Sequence, residues 1–360
     1  MYIFIVDLLH SGYKIISCPH EVGFVQNLVY YIERAYRTPD WGMWECGSKY
    51  SGGRTELNAS ATGLAKAALE SMNGFNLYGD SGTSWSVIYV DADAHQRNRT
   101  IFETILPKHS NSKETDASLL PVVLWPGYAC NDPKLRDATV HKLLESLSGK
   151  YGIKRFLRDG FGVQLDSDND GSSDSTETKK YDGIECEWPL FYLYIVIDRM
   201  LRGHIKEAKL LFSQKIEPFL AHSGVQPAYS GMGPRLPAYY FVSHNDIEDE
   251  RKDPGKAHKL PSQHAFTSQM PCLWAQSLLL IAQLLMESLI DPDDLDPIGR
   301  RSGHTGDYSL RYSSFQLRPA EPVVQVIVIA ESLRLQQFLA TYGIVSQTPR
   351  ELEPVRSKLF

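Results

Sequence analysis

The sequence lacks the motifs that mark most nucleotide-using and zinc-dependent enzymes. It contains no P-loop, no glycine-rich dinucleotide fingerprint, no protein-kinase signature set and no HExxH motif. No basic run is present, and the formal net charge of -6 argues against a nucleic-acid-binding surface. We therefore expect no nucleic-acid partner, no cofactor and no kinase chemistry in this chain.

Paired cysteines and long apolar runs are also lacking. The five cysteines occur singly, with no CxxC pair: Cys18, Cys46, Cys130, Cys186 and Cys272. An odd, scattered set is typical of reduced thiols, which predicts a cytoplasmic protein. Residues 1–9 are apolar but few, carry Asp7 and lack a basic leader. They are predicted to be the end of a helix, neither a signal peptide nor a membrane span.

Helical periodicity dominates the first 295 residues. The length of 360 residues, with 42% hydrophobic and 22% charged residues, suits one large or two ordinary globular domains. Apolar residues recur at intervals of three or four, between caps, glycines and prolines. This pattern predicts helices over residues 21–37, 57–72, 91–106, 133–148, 190–202, 204–222 (bent or broken at Pro218) and 273–289. We expect a layered helical domain and not an α/β sheet.

The last fifty residues have a different pattern. Residues 323–329 are β-branched and nearly continuous, which predicts a strand, and residues 331–342 and 343–348 then predict a short helix and an edge strand. We divide the chain into a helical domain at 1–295, a linker at 296–322 and the start of a second, small α+β domain at 323–360.

One loop, residues 36–47, contains several side chains of the kinds that bind ligands or take part in catalysis. It holds Trp41 and Trp44 together with Arg37, Asp40 and Glu45. Aromatic faces beside acids and a guanidinium suit a sugar ring, because its C–H face stacks and its hydroxyls form charge-assisted hydrogen bonds. The alternative is a connection between two helices whose tryptophans belong to the core.

A second segment has the spacing of an EF-hand calcium loop. Its oxygen donors would be Asp166, Asp168, Asp170, Asp174 and Glu177. Against this interpretation, Ser173 stands where an apolar residue normally pins the loop, and the flanking segments are poor helices. A solvated, Ser/Asp-rich disordered loop explains the composition as well. We expect no metal site here.

Acid–base chemistry on a glycosidic bond needs two carboxylates that face each other, one protonated and one ionised. Candidates are Glu45 in the loop, Glu187 next to Trp188 before a helix start, and Glu250 in the acidic stretch 248–253. The alternatives are a helix-capping role for Glu187 and a solvated surface for residues 248–253. The sequence alone leaves open which of these carboxylates converge.

Several short motifs occur in order along nearly the whole chain. They are RAYRTPDWG at 34–42, ELN at 56–58, GLAKAALE at 63–70, DASLL at 116–120, RFLRDG at 155–160 and ECEWP at 185–189. As a set they resemble the large regulatory subunits of phosphorylase kinase. Residues 73–77, 93–99 and 341–344 look more like the β subunit than the α subunit. Because those subunits are much longer, we expect this chain to be an interior piece.

The resemblance implies a regulatory and scaffolding role in the control of glycogen breakdown. The implied partners are a catalytic kinase subunit, the other large regulatory subunit and calmodulin. It also implies a mostly α, (α/α)6 glucoamylase-like toroid, incomplete at its amino terminus. In glucoamylase-type glycoside hydrolases, a Trp-Glu pair that matches Trp44-Glu45 supplies the general acid, and Glu250 is a loose match to the base.

Two rival functions remain open. One is an active α-glucan hydrolase with Glu45 as acid, and the other is a glucan-binding module with a dead catalytic centre. The candidate sugar-binding residues for either are Arg37, Asp40, Trp41, Trp44, Glu187 and Trp188. The resemblance further allows lipid attachment of the full-length subunit to the inner face of the plasma membrane, although the terminal residues 357–360 carry no CaaX cysteine.

Overall fold

The computed structural model describes residues 1–44, 54–79, 82, 84–165, 177–220, 235–262, 272–302, 328–342, 344 and 346–348. The chain divides into two compact units, Met1–Ser314 and Phe315–Phe360. This division falls within the predicted linker at 296–322. The domain boundaries proposed from the sequence stay a prediction.

Helices form most of the first unit. They are α1 (Tyr2–His10), α2 (Pro19–Ala35), α3 (Ala59–Met72), α4 (Ala92–Ile105), α5 (Leu120–Val123), α6 (Pro133–Leu147), α7 (Leu190–Leu201), α8 (Ile205–Lys215), α9 (Glu217–Leu220), α10 (Ile247–Lys252), α11 (Leu273–Met286) and α12 (Pro292–Leu295). The predicted helices are present among the described residues, with ends shifted by a few residues. The helix predicted at 204–222 is divided at Ile216, two residues before the predicted break at Pro218, into α8 and α9. The predicted mostly α class is therefore confirmed.

Local chemistry accounts for the helix ends that the sequence predicted. The Asp91 carboxylate accepts the N–H of Asp93 at the start of α4. The Asp132 carboxylate accepts the N–H of Lys134 at the start of α6, where Pro133 takes the first position. Both are N-cap interactions that satisfy a backbone donor without an intrahelical partner.

Helix α7 lies at the centre of the larger core. It packs against α8 and α11, and eleven of its twelve residues are buried. The helical spacing of Leu190, Leu193 and Ile197 predicts one apolar face. The structure buries the other faces as well, because α7 contacts neighbours around nearly its whole surface. Helix α11 has the more apolar sequence but keeps Leu273 and Leu280 exposed.

A second core forms where α3 packs against α1, α2 and α4. Gly63 on α3 permits close packing, because a Cβ there would lie 2.5 Å from both Phe102 of α4 and Val122 of α5. Lys66, one turn further along α3, is fully buried and donates to Glu70 at 2.6 Å. Burial favours the neutral form of both groups. At Glu70, the Lys66 ammonium and His95 together outweigh this effect and hold the pKa of that carboxyl well below its usual range.

A four-stranded antiparallel sheet accompanies the helices. Its strands are β1 (Ile153–Lys154), β2 (Glu187–Trp188), β3 (Tyr240–Phe241) and β4 (Leu260–Pro261), in that order. Each strand has two residues, too few for an alternating pattern, which is why the sequence did not predict them. The sheet matters because it places residues from four distant segments side by side.

The second unit is described in part. Helix α13 (Leu333–Thr341) confirms the short helix predicted at 331–342. Ile329 forms a parallel bridge with Gln347, while residues 323–327 of the predicted strand lie outside the described residues. Across the described ranges of both units, no helix combines the length and apolarity needed to cross a bilayer.

Candidate functional site

The loop that follows α2 is organised by a carboxylate. Asp40 and Glu56 exchange two backbone hydrogen bonds, of 2.9 and 3.0 Å, in an antiparallel bridge. The Asp40 Oδ1 atom accepts the N–H of Gly42 at 2.8 Å and also the Asn58 amide. Gly42 has φ +77°, a conformation that favours glycine. Asp40 thus orders the turn on which Trp41 stands, and Arg37 lies exposed at its start.

A small cleft opens beside this turn. Trp41, whose side chain is 40% exposed, lines it together with polar and charged residues. These are Asp40, Arg54, Glu56, Asn58, Ser110, Ser112 and Lys113. Burial opposes ionisation of Glu56, but hydrogen bonds from Ser112 and Ser110 outweigh it and lower its pKa. The cleft therefore presents an indole, a carboxylate that stays ionised and two basic side chains.

Trp44 is half-buried and packs against the helical core. Its Nε1–H donates to Asp116 Oδ1 at 2.8 Å. Its ring lies 6.2 Å from those of Phe191 on α7 and Trp274 on α11. The next residue, the acid candidate Glu45, lies outside the described residues, so its role stays a prediction.

Arg155 joins the two predicted tryptophans, Trp44 and Trp188. Its guanidinium carbon lies 4.7 Å from the Trp44 ring centroid and 5.5 Å from that of Trp188. Asp159 holds it with two hydrogen bonds, of 2.6 and 2.8 Å, and both residues are at least 95% buried. A bidentate pair of this kind fixes the plane of the guanidinium. The structure therefore brings Trp44 and Trp188 to one group.

Glu187 points away from that group. Its Oε2 accepts the N–H of Tyr151 at 2.7 Å and that of Gly152 at 3.2 Å, and its Oε1 accepts Lys259 Nζ at 2.6 Å. Successive side chains of a strand point to opposite faces, so Glu187 and Trp188 on β2 face different surroundings. Glu187 does not cap α7, whose N-cap, Pro189, makes no side-chain cap hydrogen bond.

Glu250 is buried, and both of its carboxylate oxygens accept hydrogen bonds. They accept the N–H groups of Gly255 and Ala257, each at 2.9 Å. The side chain is 2% exposed, and Lys259 Nζ lies 3.9 Å away. A general base must reach its water through a free lone pair. The placement of Glu250 is that of a carboxylate that closes a loop, and its catalytic assignment stays a prediction.

A serine–histidine–aspartate cluster includes His109, the neighbour in sequence of the cleft residue Ser110, but lacks the geometry of a hydrolytic triad. His109 Nε2 lies 2.9 Å from Ser60 Oγ and 3.3 Å from Ser118 Oγ. The Asp116 oxygen that bonds Trp44 also accepts the Ser118 N–H at 2.9 Å, and no hydrogen bond to His109 is found for it among the described residues. The histidine is fully buried, and this burial lowers its pKa. Of these residues, Asp116 contacts the loop, through its hydrogen bond with Trp44.

Sequence reasoning missed Lys113 and Asp116 as site residues. Lys113, which lines the cleft, lies 3.8 Å from Asp116. Asp116 accepts a hydrogen bond from Trp44, and the Trp44 ring contacts Arg155. This series of contacts connects the cleft to Arg155. The sequence does single out the basic and aromatic RFLRDG turn at 155–160, as a partner-binding, sugar-lining or purely structural segment. This turn contains both members of the buried ion pair. Among the described residues, no group of three His, Cys, Asp or Glu side chains could hold a metal ion. The calcium-like segment, residues 166–177, lies outside them except for its last residue, whose side chain is also not described.

Residues 1–348 match the family described as glycosyl hydrolases family 15, and the chain belongs to this family. Membership confirms the glucoamylase-like class predicted from the sequence. The match to a solved glycosidase structure covers 72% of this chain and 58% of the glycosidase chain, with a TM-score of 0.44 and 15% identity.

Curated relatives resemble the chain much more strongly. The Drosophila melanogaster protein "Probable phosphorylase b kinase regulatory subunit beta" is 44% identical over 98% of this chain and 31% of its own length. The skeletal muscle isoform of phosphorylase b kinase regulatory subunit alpha from Oryctolagus cuniculus is 36% identical over 98% of this chain and 27% of its own. The predicted resemblance is confirmed, and the chain spans less than a third of these relatives.

Proposed function

We propose that this chain is part of a regulatory subunit of phosphorylase kinase, of the β type, and acts in the control of glycogen breakdown. The observation that carries the proposal is the 44% identity to a regulatory subunit beta over 98% of the chain. This part of the subunit carries no kinase motifs, and we assign phosphoryl transfer to a separate catalytic subunit. The other proposed partners are the second large regulatory subunit and calmodulin.

The test is reconstitution of the complete regulatory subunit that contains this chain with the catalytic kinase subunit. We expect the two to co-purify and the kinase activity to respond to the regulatory subunit and to calcium–calmodulin. The regulatory subunit alone should transfer no phosphate to phosphorylase. Failure to co-purify, with kinase activity unchanged by the added subunit, would overturn the proposal.

A second proposal is that the loop cleft binds an α-glucan without hydrolysing it. Two of the three candidate carboxylates, Glu187 and Glu250, are held by buried lysine or backbone N–H groups. Hydrolysis needs an acid and a base that face each other across the bond, whereas binding needs only the pocket. The indole and charged groups around Trp41 support binding, and Glu45 remains the candidate for a vestigial acid.

Incubation with maltooligosaccharides separates binding from hydrolysis. The complete chain, Glu45→Gln and Glu250→Gln are compared for glucose release, and binding is followed by isothermal titration calorimetry. We expect binding by the wild-type chain and no glucose release by any of the three. Glucose release that Glu45→Gln abolishes would favour the active hydrolase instead.

The cellular location is part of the same proposal. Four of the cysteines, Cys18, Cys130, Cys186 and Cys272, are free thiols, which supports a reducing compartment such as the cytoplasm. Lipid attachment of the full-length subunit is tested by mass spectrometry of the subunit isolated from cells. A mass equal to that of the unmodified polypeptide would contradict it.

A further inference from the structure

Phe161 is a half-exposed ring that rests on buried partners. Its side chain is 46% exposed, while Arg155, Trp188 and Tyr239 are 5%, 7% and 4% exposed. The ring centroid lies 5.7 Å from that of Trp188 and 5.8 Å from that of Tyr239. The Arg155 guanidinium carbon lies 4.4 Å from it. The ring is therefore packed against these groups while nearly half of its surface stays open to solvent.

The backbone around Phe161 is held in place as well. Its N–H donates at 3.0 Å to the Asp159 oxygen that also accepts Arg155 Nη2 at 2.8 Å. A Cβ on Gly160 would lie 2.7 Å from the Tyr181 ring, and Gly162 has φ +75°. Larger residues are disfavoured on both sides, so the orientation of the ring is set by the fold and not by a mobile loop.

A fixed aromatic ring with an open side suits the apolar face of a pyranose. Stacking on it costs little entropy, because the ring is already ordered before the ligand arrives. A protein interface would need roughly 800 Å² on each partner, and the rings that support Phe161 are themselves buried. The Arg155 guanidinium also contacts the Trp44 ring, so one buried side chain contacts both Phe161 and Trp44.

We propose that Phe161 is a stacking platform for a glucosyl residue of an α-glucan. This inference rests on the glucan binding proposed above and adds a binding residue outside the loop of Trp41 and Trp44. It requires an aromatic ring at position 161 and not merely an apolar side chain.

Maltoheptaose binding to the complete chain, measured by isothermal titration calorimetry, tests the role of the ring. Phe161→Leu keeps apolar character without the ring, and Phe161→Tyr keeps the ring. Phe24→Leu removes a phenyl that is 62% exposed on α2 and serves as the matched control. We expect Phe161→Leu to raise Kd about three- to tenfold and the other two variants to stay within about twofold of wild type.

The outcomes separate this inference from the proposal beneath it. A wild-type Kd in Phe161→Leu would overturn the platform and leave glucan binding in place. No binding by the wild-type chain would overturn both. Thermal melting checks that each variant folds. If Phe161→Leu does not fold, Phe161→Tyr and Phe161→Trp decide, because loss of binding in both folded aromatic variants would also overturn the platform.

Discussion

At the scale of single residues, Lys259 holds the small sheet together from inside. Its ammonium group, 2% exposed, lies 2.6 Å from Glu187 Oε1, 3.2 Å from the Glu185 carbonyl oxygen and 3.9 Å from Glu250 Oε1. Removing it would leave buried carboxylates without their countercharge. We expect Lys259→Met to lower the free energy of unfolding by about 3–5 kcal/mol, measured by urea denaturation.

A matched control is available on α6. Lys142 makes an ion pair of equal length, 2.6 Å, with Glu114, but the two side chains are 32% and 62% exposed. Water and salt screen such a pair, so Lys142→Met should cost about 0.5 kcal/mol or less. Equal losses in the two variants would show that burial is not what makes the Lys259 pairs important.

Asp7 on α1 should give the stability a pH dependence of its own. Burial raises the pKa of its carboxyl from 3.8 to about 7, and Asp296 adds to the rise while Arg300 opposes it. Between about pH 4 and 7, the folded chain therefore binds more protons here than the unfolded chain. The contribution of Asp7 to stability is full at low pH and declines as pH rises through this window.

The substitution Asp7→Asn tests this dependence. In the variant, this pH-dependent decrease in the free energy of unfolding should be absent. In the wild type it is at most about 1.4 kcal/mol for each pH unit. Urea denaturation of wild type and variant at pH 5, 6 and 8 measures the difference in slope. Parallel stability profiles in the two proteins would contradict the assignment.

At the scale of secondary-structure elements, the contact of α3 with α4 and α5 depends on Gly63. An added methyl would lie 2.5 Å from both Phe102 and Val122, which are fully buried. The cost of overpacking, about 1–3 kcal/mol, exceeds the gain of about 0.5–1 kcal/mol from replacing glycine by alanine in a helix. We expect Gly63→Ala to lower the melting temperature in a thermal scan.

Gly23 on α2 provides the opposite case. A Cβ there would meet no atom within 4 Å, so Gly23→Ala should gain about 0.5–1 kcal/mol of stability. The two variants are the same exchange in two helices, and only the surroundings differ. Stabilisation by both would mean that α3 and α4 are free to move apart.

At the scale of the whole molecule, glucan binding should raise the free energy of unfolding. A ligand that binds only the folded chain, at about ten times its Kd, raises the free energy of unfolding by about 1.4 kcal/mol. We expect maltoheptaose to raise the melting temperature in proportion to the logarithm of its concentration. A β-linked cellooligosaccharide of similar length is the control. No shift, or the same shift with both sugars, would contradict a specific α-glucan site.

The sequence by itself determined the helices and the family. Helix boundaries depend on caps such as Asp132 and on apolar residues three or four apart, and both are interactions between near neighbours in the chain. Long series of motifs such as those at 34–42 and 185–189 identified the family without knowledge of any contact. The buried extent of α7 was underestimated, because the sequence does not state how many neighbours a helix has.

Only the tertiary structure decided what the polar site residues do. Trp44 meets Asp116 across 72 positions of the chain, and Lys259 meets Glu187 across another 72. Such pairings depend on how the helices and the two-residue strands pack, and no local pattern encodes them. The residue types that predict a sugar site can be read from the sequence. The contacts of Glu187 with a buried lysine, and of Trp44 and Trp188 with Arg155, cannot, because they join segments that are far apart in the chain.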